Sequence, residues 1–214
     1  WANVLSRDPN YAEITERPGE TYEILLNAYK PFACGIVIHP TIDGCIQLRN
    51  EHELRADQIE GIELEVHPLV LELTGKKTPQ TGLEGKFSVY YAAAVAIVDG
   101  AAGVTQFSDE AVRNPVIVSL RDRVAAVVDP DIHEDQARVT ITLKDGRRLE
   151  KFIEHAIGSV DRPMTDADLE AKFIGLADGV LPSGQVRQLL DLCWNIETLP
   201  SASELAEGAS AVQL

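Results

Sequence analysis

An α+β fold, with a mainly antiparallel sheet carrying helices on one face, is predicted by three patterns in the chain. Ile59–Val66 sets Ile62, Leu64 and Val66 on one side and Glu63 and Glu65 on the other, the period of a half-buried strand. Residues 138–143 alternate in the same way, Lys144-Asp145-Gly146-Arg147 is a tight-turn signal, and residues 148–154 return as the second arm of a hairpin. Residues 83–98, which contain Ala92-Ala93-Ala94-Val95-Ala96-Ile97-Val98, are apolar on nearly every face and predict a helix buried all round.

Taken in order, residues 1–22 are polar, are punctuated by Pro9, Pro18 and Gly19, and form a lead-in without a clear period. The first residue is Trp1 and no basic and apolar leader follows, which predicts a processed chain or part of a longer polypeptide. Ile24-Leu25-Leu26-Asn27-Ala28-Tyr29 is apolar with β-prone members and predicts a strand ending at Lys30. Pro40 suits a first helical position, and Ile42, Cys45, Ile46 and Arg49 recur at helical spacing, so His39 falls at or next to the N-cap. Pro68 stops the strand over Ile59–Val66, and Gly100 after Asp99 is suited to a left-handed helix end. Between Ser108 and Asp129 a short helix or two precede a strand at Val124–Val128. Thr165-Asp166-Ala167-Asp168 reads as a capping box with Leu169, Phe173 and Leu176 following. A further helix starts near Ser183 with Val186, Leu189, Leu190, Cys193 and Trp194 on its apolar side, and Ser201 to Glu204 opens a last one. The divisions are 1–22, 23–164 as the α+β domain, and 165–214 as a helical segment.

The 214 residues suffice for a substantial core, and 45% hydrophobic with 25% charged residues is a globular composition. With 19 Lys plus Arg against 34 Asp plus Glu, the net charge is -15. Nucleic acid is therefore excluded as a partner for want of a basic patch, and an anion site has to gather its cations locally. No apolar run is long enough to span a bilayer, so no membrane role is expected. Cys34, Cys45 and Cys193 are odd in number and lack CxxC spacing, which fits reduced, packed thiols in the cytoplasm. The five histidines (His39, His52, His67, His133 and His155) show no ligand spacing, and His52, His67 and His155 read as surface or structural. The acidic run from Asp129 to Asp135 lacks a full EF-hand loop and reads as a solvated turn.

Lys30 and His39 bracket the start of a helix, whose first N–H groups favour a carboxylate or phosphate. The same two residues equally fit a solvated lysine beside a capping histidine. The sequences Lys30-Pro31-Phe32-Ala33-Cys34 leading to His39-Pro40, Gly85-Lys86-Phe87-Ser88 through Tyr91 to Asp99-Gly100, and Pro163-Met164-Thr165 with Leu169-Glu170-Ala171-Lys172-Phe173 stand in one order across most of residues 23–178. In that order they resemble the C-terminal half of the MmgE/PrpD family, which includes dehydratases, decarboxylases and epimerases of small carboxylic acids. The resemblance implies a lid domain over a helical N-terminal domain, present in cis or as a second chain, with the active site between them. It also implies a homodimer and chemistry without metal or organic cofactor. Such enzymes remove a proton beside a carboxylate, which calls for a cation, a base near neutral pKa and a donor to the developing enediolate.

On this resemblance the catalytic candidates are Lys30 for anchoring and charge stabilisation, His39 for proton handling and Tyr91 for hydroxyl donation. Lys30 and Lys86 are the substrate-binding candidates for a small polycarboxylate. On one regular helix Lys86 and Tyr91 would stand about 140° apart, which favours Tyr91 in the cleft. The decarboxylase branch has a histidine five residues after the lysine, where this chain has Gly35. The expected reaction is therefore a 2-methylcitrate dehydratase-like dehydration, with epimerisation of an iminodisuccinate-like substrate as the alternative. From another class, a non-catalytic interaction module is the rival.

Overall fold

The structure is a computed structural model and describes residues 2–12, 15–17, 19, 20 and 22–210. Trp1, Pro18 and the last four residues of the 165–214 segment, on which part of the reading above rests, lie outside the described residues.

Helix α1 (Ala2–Leu5) is short and exposed. The strand expected over residues 24–29 is instead a 3-10 helix, Glu23–Leu26, followed by extended chain. Ile24-Leu25-Leu26 lacks alternation and has no neighbouring strand to pair with. Its amides close i→i−3 bonds, Leu25 N–H to Tyr22 O and Asn27 N–H to Ile24 O, and Leu25 remains 77% exposed. Helix α2 (His39–Glu51) begins where Pro40 predicts, with Ile38 as N-cap and His39 as its first residue. Ile42, Cys45 and Leu48 are fully buried on it.

Strand β1 (Ile59–Val66) leads to α3 (Pro68–Thr74), then α4 (Gly82–Gly85) and α5 (Val89–Asp99). The single helix expected over 83–98 is thus divided. Ser88 adopts extended backbone and its Oγ accepts the Tyr91 N–H at 3.1 Å, so a new N-cap forms inside the apolar run. The angular relation between Lys86 and Tyr91 on one regular helix no longer applies, since Lys86 is the C-cap of α4. Helix α5 is buried over Val89 to Ile97 and ends at Gly100, φ +68°, as expected.

Helices α6 (Asp109–Val112) and α7 (Pro115–Arg121) bring the chain to β2 (Val124–Val128), β3 (Ala137–Leu143) and β4 (Arg148–Ile153). The sheet order is β2-β1-β3-β4: β1 runs parallel to β2, reached by the long helical crossover, and antiparallel to β3, which forms the hairpin with β4. Ile62 opposite Ile141 and Leu64 opposite Val139 line the inner face, on which α2 and α5 pack. The outer face is polar, with Arg138 bonded to Glu65 at 2.9 Å and Glu150 at 3.0 Å. One face covered and one wet is the expected α+β arrangement.

Past the hairpin come α8 (Asp166–Ala177), α9 (Ser183–Trp194) and α10 (Ser203–Gly208). The capping box is present: Thr165 Oγ1 accepts the Asp168 N–H at 3.2 Å, and Asp168 accepts the Thr165 N–H at 2.9 Å. On α9 Val186 and Leu189 are buried, whereas Cys193 and Trp194 are exposed. Cys193 therefore does not pack as Cys34 and Cys45 do. No helix among the described residues is long and apolar enough to cross a membrane.

Candidate functional site

The segment from Lys30 to His39 folds back on itself and forms the floor of the site. Ala33 N–H bonds Ala102 O at 2.9 Å and Gly35 N–H bonds Lys86 O at 3.1 Å. The Lys86 carbonyl is free to accept because the apolar helix is interrupted there. The fold-back brings Lys30 Nζ to 3.4 Å from the Cys34 carbonyl. A 3-10 turn, Ile36–Ile38, then delivers His39, whose ring meets Phe32 edge-on at 5.3 Å between centroids. His39 makes no capping bond to α2, and its Nε2 is buried without a partner. The capping alternative for His39 is therefore removed.

Electrostatics tie Lys30, Lys86 and Lys172 to this floor. Burial first, then the Lys30 charge, push the His39 imidazole down from 6.5 to about 4, with Lys172 adding to the effect and the Cys34 backbone opposing it. Burial pushes the Cys34 thiol up to about 12, against the opposing charges of Lys30 and Lys86. Lys30 and Lys86 thus both act on Cys34, and Lys30 and Lys172 both act on His39, in a chain of net charge -15. His39 is neutral at pH 7, and Cys34 is no nucleophile.

One consequence is measurable. The open chain binds the His39 proton below about 6.5 and the fold only below about 4, so this group's contribution to stability is intact above 6.5 and lost as pH falls to 4. The loss is on the order of 3 kcal/mol. Urea unfolding of a His39→Gln variant is expected to show a correspondingly shallower fall in stability between pH 6.5 and 4.5 than the parent, and equal slopes would disprove the buried neutral state.

Beside this floor lies a cleft of about 460 Å³. Its walls are Pro31 to Ala33, the Gly100-to-Gln106 loop, Asp43 and Ile46 of α2, Ile157, and the face of α8 that carries Asp168, Ala171, Lys172 and Gly175. Asp43, 4% exposed, holds the far loop: its Oδ2 accepts Ile157 N–H at 3.0 Å and Arg162 Nη1 at 2.5 Å, and its Oδ1 accepts Gln47 Nε2 at 2.8 Å. A second cavity of about 270 Å³ lies across Ile157 and is lined by Tyr29, His39, Asp135 and Asp161 among others. The larger volume is therefore not the one His39 lines, and the cations rather than the volume mark the chemistry.

Of the residues singled out in the sequence, Lys30, Lys86 and His39 converge on this floor. Tyr91 is elsewhere: it is 0% exposed, packs on Phe107 and donates its hydroxyl to the Gln106 carbonyl. Burial first, then Asp99, raise its pKa. It reaches the cleft through Gln106, whose side chain is fixed by Gly103 N–H at 3.0 Å and Asp99 at 3.2 Å. Sequence reasoning missed Asp43, Arg162, Gln106 and Lys172. A signal existed for two of them: Asp43 is one turn after His39 in an amphipathic helix, and Lys172 one turn after the capping Asp168.

His67 caps α3, its Nδ1 accepting Leu69 N–H at 3.2 Å, and His155 Nδ1 is 3.6 Å from Asp135 and 3.8 Å from Asp161. No group of three or more His, Cys, Asp or Glu among the described residues is arranged to hold a metal ion.

Compared with known proteins, residues 32–196 match the model of the MmgE/PrpD C-terminal domain. A cis-aconitate decarboxylase of Mus musculus is 26% identical over 188 residues, covering 83% of this chain and 38% of that protein. The cis-aconitate decarboxylase-like protein oryM of Aspergillus oryzae (strain ATCC 42149 / RIB 40) is 25% identical, covering 93% and 44%. A cis-aconitate decarboxylase of Aspergillus terreus is 23% identical, covering 94% and 44%. The chain spans between 38% and 44% of the length of these relatives.

Proposed function

This chain belongs to the MmgE/PrpD family, matching its C-terminal domain, and from that premise we propose that it forms one wall of a cofactor-independent lyase acting beside a carboxylate of a small di- or tricarboxylic acid. The observation that carries the reading is the convergence of Lys30, Lys86 and the neutral His39 on one floor in an otherwise acidic chain.

Dehydration follows from simple demands. Lys30 holds the substrate carboxylate and stabilises the enediolate as a proton leaves the adjacent carbon. The pair of electrons released forms the alkene and breaks the carbon–oxygen bond, and the departing hydroxide takes up one proton, equivalent to the one removed from carbon, to leave as water. His39 enters neutral and takes or relays that proton. A bound carboxylate offsets the Lys30 charge and so raises the imidazole's affinity for it. Lys86 is a second cation for the same anion, and Tyr91 positions the wall through Gln106.

Gly35 favours dehydration over decarboxylation. It presents no imidazole where the decarboxylase branch has one, and a Cβ there would stand 3.3 Å from Thr74 Cγ2, a contact that asks Thr74 to give by a few tenths of an ångström. Decarboxylation is the second reading, favoured by the names of the relatives; epimerisation, in which the proton returns without a leaving group, is the third. Exposed Ile24, Leu25, Leu26, Tyr29 and Ile36 flank Lys30, which supports a helical partner domain, in cis or as a second chain, closing the site. A homodimer and a cytoplasmic setting belong to the same proposal.

Proton NMR in heavy water tests it, with citrate, 2-methylcitrate, cis-aconitate and iminodisuccinate presented to this chain with and without a helical partner domain. The expected result is a new alkene signal from a hydroxy acid when both parts are present. Carbon dioxide release from cis-aconitate would replace dehydration by decarboxylation, and exchange at carbon without elimination would replace it by epimerisation. Absence of any turnover by the pair would return the chain to a non-catalytic interaction module.

A further inference from the structure

Among the described residues, Lys76 and Lys151 have carboxylate partners, Glu84 and Glu51, whereas Lys172 takes part in no ion pair or hydrogen bond. Lys86 and Lys144 likewise lack such a partner, and what sets Lys172 apart is its place in a cleft. Lys172 is half-buried and lines the cleft of about 460 Å³ from α8, a helix fixed at its start by the Thr165–Asp168 box. The acid one turn away makes no ion pair with it: Asp168 Oδ2 accepts the Thr165 amide at 2.9 Å and hydroxyl at 2.6 Å. Around the ammonium the helix offers Ala171 and Gly175, which leave room for a ligand. Lys30 acts on the same His39 as Lys172 does, and its neighbours Pro31 to Ala33 line this cleft, so two cations without ion-pair partners stand near one floor.

We propose that Lys172 is a specificity-determining residue that takes a second carboxylate of the substrate, so that the cleft selects di- and tricarboxylates over monocarboxylates. This rests on the reading of Lys30 as the first anchor. An ammonium facing an anion in a partly desolvated cleft is worth far more than one in open water, and the gain is available only to a ligand long enough to meet both lysines. A monocarboxylate meets one, and its affinity is then indifferent to the other.

The test measures binding of two unreactive probes, propane-1,2,3-tricarboxylate and butyrate, by calorimetry on the full chain and on Lys172→Gln, Lys172→Arg and Lys30→Ala variants. The tricarboxylate is expected to bind at least tenfold tighter than butyrate, a factor that Lys172→Gln removes from the tricarboxylate alone and Lys172→Arg largely restores. Absence of any preference in the parent, or an equal loss for both probes in Lys172→Gln, would overturn the proposal. Lys30→Ala separates the two ideas: it should weaken both probes, and if it weakens neither while Lys172→Gln still abolishes the preference, the anchor role of Lys30 fails and that of Lys172 stands.

Discussion

The Lys30→Ala variant, assayed with the helical partner domain present, is expected to lose about 10²- to 10³-fold in kcat/KM, the loss typical when one preorganised charge-stabilising donor is removed. Stability should be nearly untouched. Lys30 is exposed and its one bond is a long contact of 3.4 Å to the Cys34 carbonyl, so the fold gives up about 0.5 kcal/mol at most. Because Lys30 also holds the His39 imidazole down, its removal should raise the His39 pKa, a shift visible in the histidine ring NMR signals even without substrate. A variant with parental kcat/KM would end the anchoring role, whatever its stability.

A Gly158→Ala substitution is expected to cost about 3 to 5 kcal/mol and to take activity with it. Gly158 has φ +87°, and a Cβ there would stand 2.2 Å from the Tyr29 carbonyl and 2.8 Å from Pro31 Cδ. Tyr29 also gives its N–H to the Gly158 carbonyl at 3.0 Å, so the two backbones are held in contact from both directions. Relief requires the 29–31 segment to move outward, which carries Lys30 off the floor. Thermal melting and kcat/KM measured together check this; a stable protein with lost activity would show that the segment shifts without unfolding, and unchanged values for both would rule the contact unimportant.

Features set by neighbouring residues were legible in the sequence. The alternation of β1, the hairpin, the Pro40 start of α2, the Gly100 stop and the Thr165 capping box all follow from periodicity and from side chains bonding backbone within four residues. The break at Ser88 used equally local chemistry, but the apolar run around it masked the cap. Residues 24–29 misled for another reason: β-prone side chains cannot make a strand without a partner, and the existence of a partner is not written locally. Lys30, Lys86 and His39 were singled out through the motifs they stand in. Asp43 and Arg162, 119 residues apart, were not, because their pairing exists only once the loop after β4 returns to α2. Gln106 joined the wall through Tyr91 for the same reason.

The lysines that act on His39 and Cys34 also bear on how fast the proposed ligand arrives. A polyanion approaching from a distance meets a body of charge -15, and only within about 8 Å, the Debye length at physiological ionic strength, do the nearby ammonium groups dominate. Repulsion thus governs the encounter and attraction governs the residence. Added salt relaxes the first before it weakens the second, so association with this cleft quickens on moving from very dilute buffer to moderate ionic strength, the reverse of what a uniformly basic binding surface does.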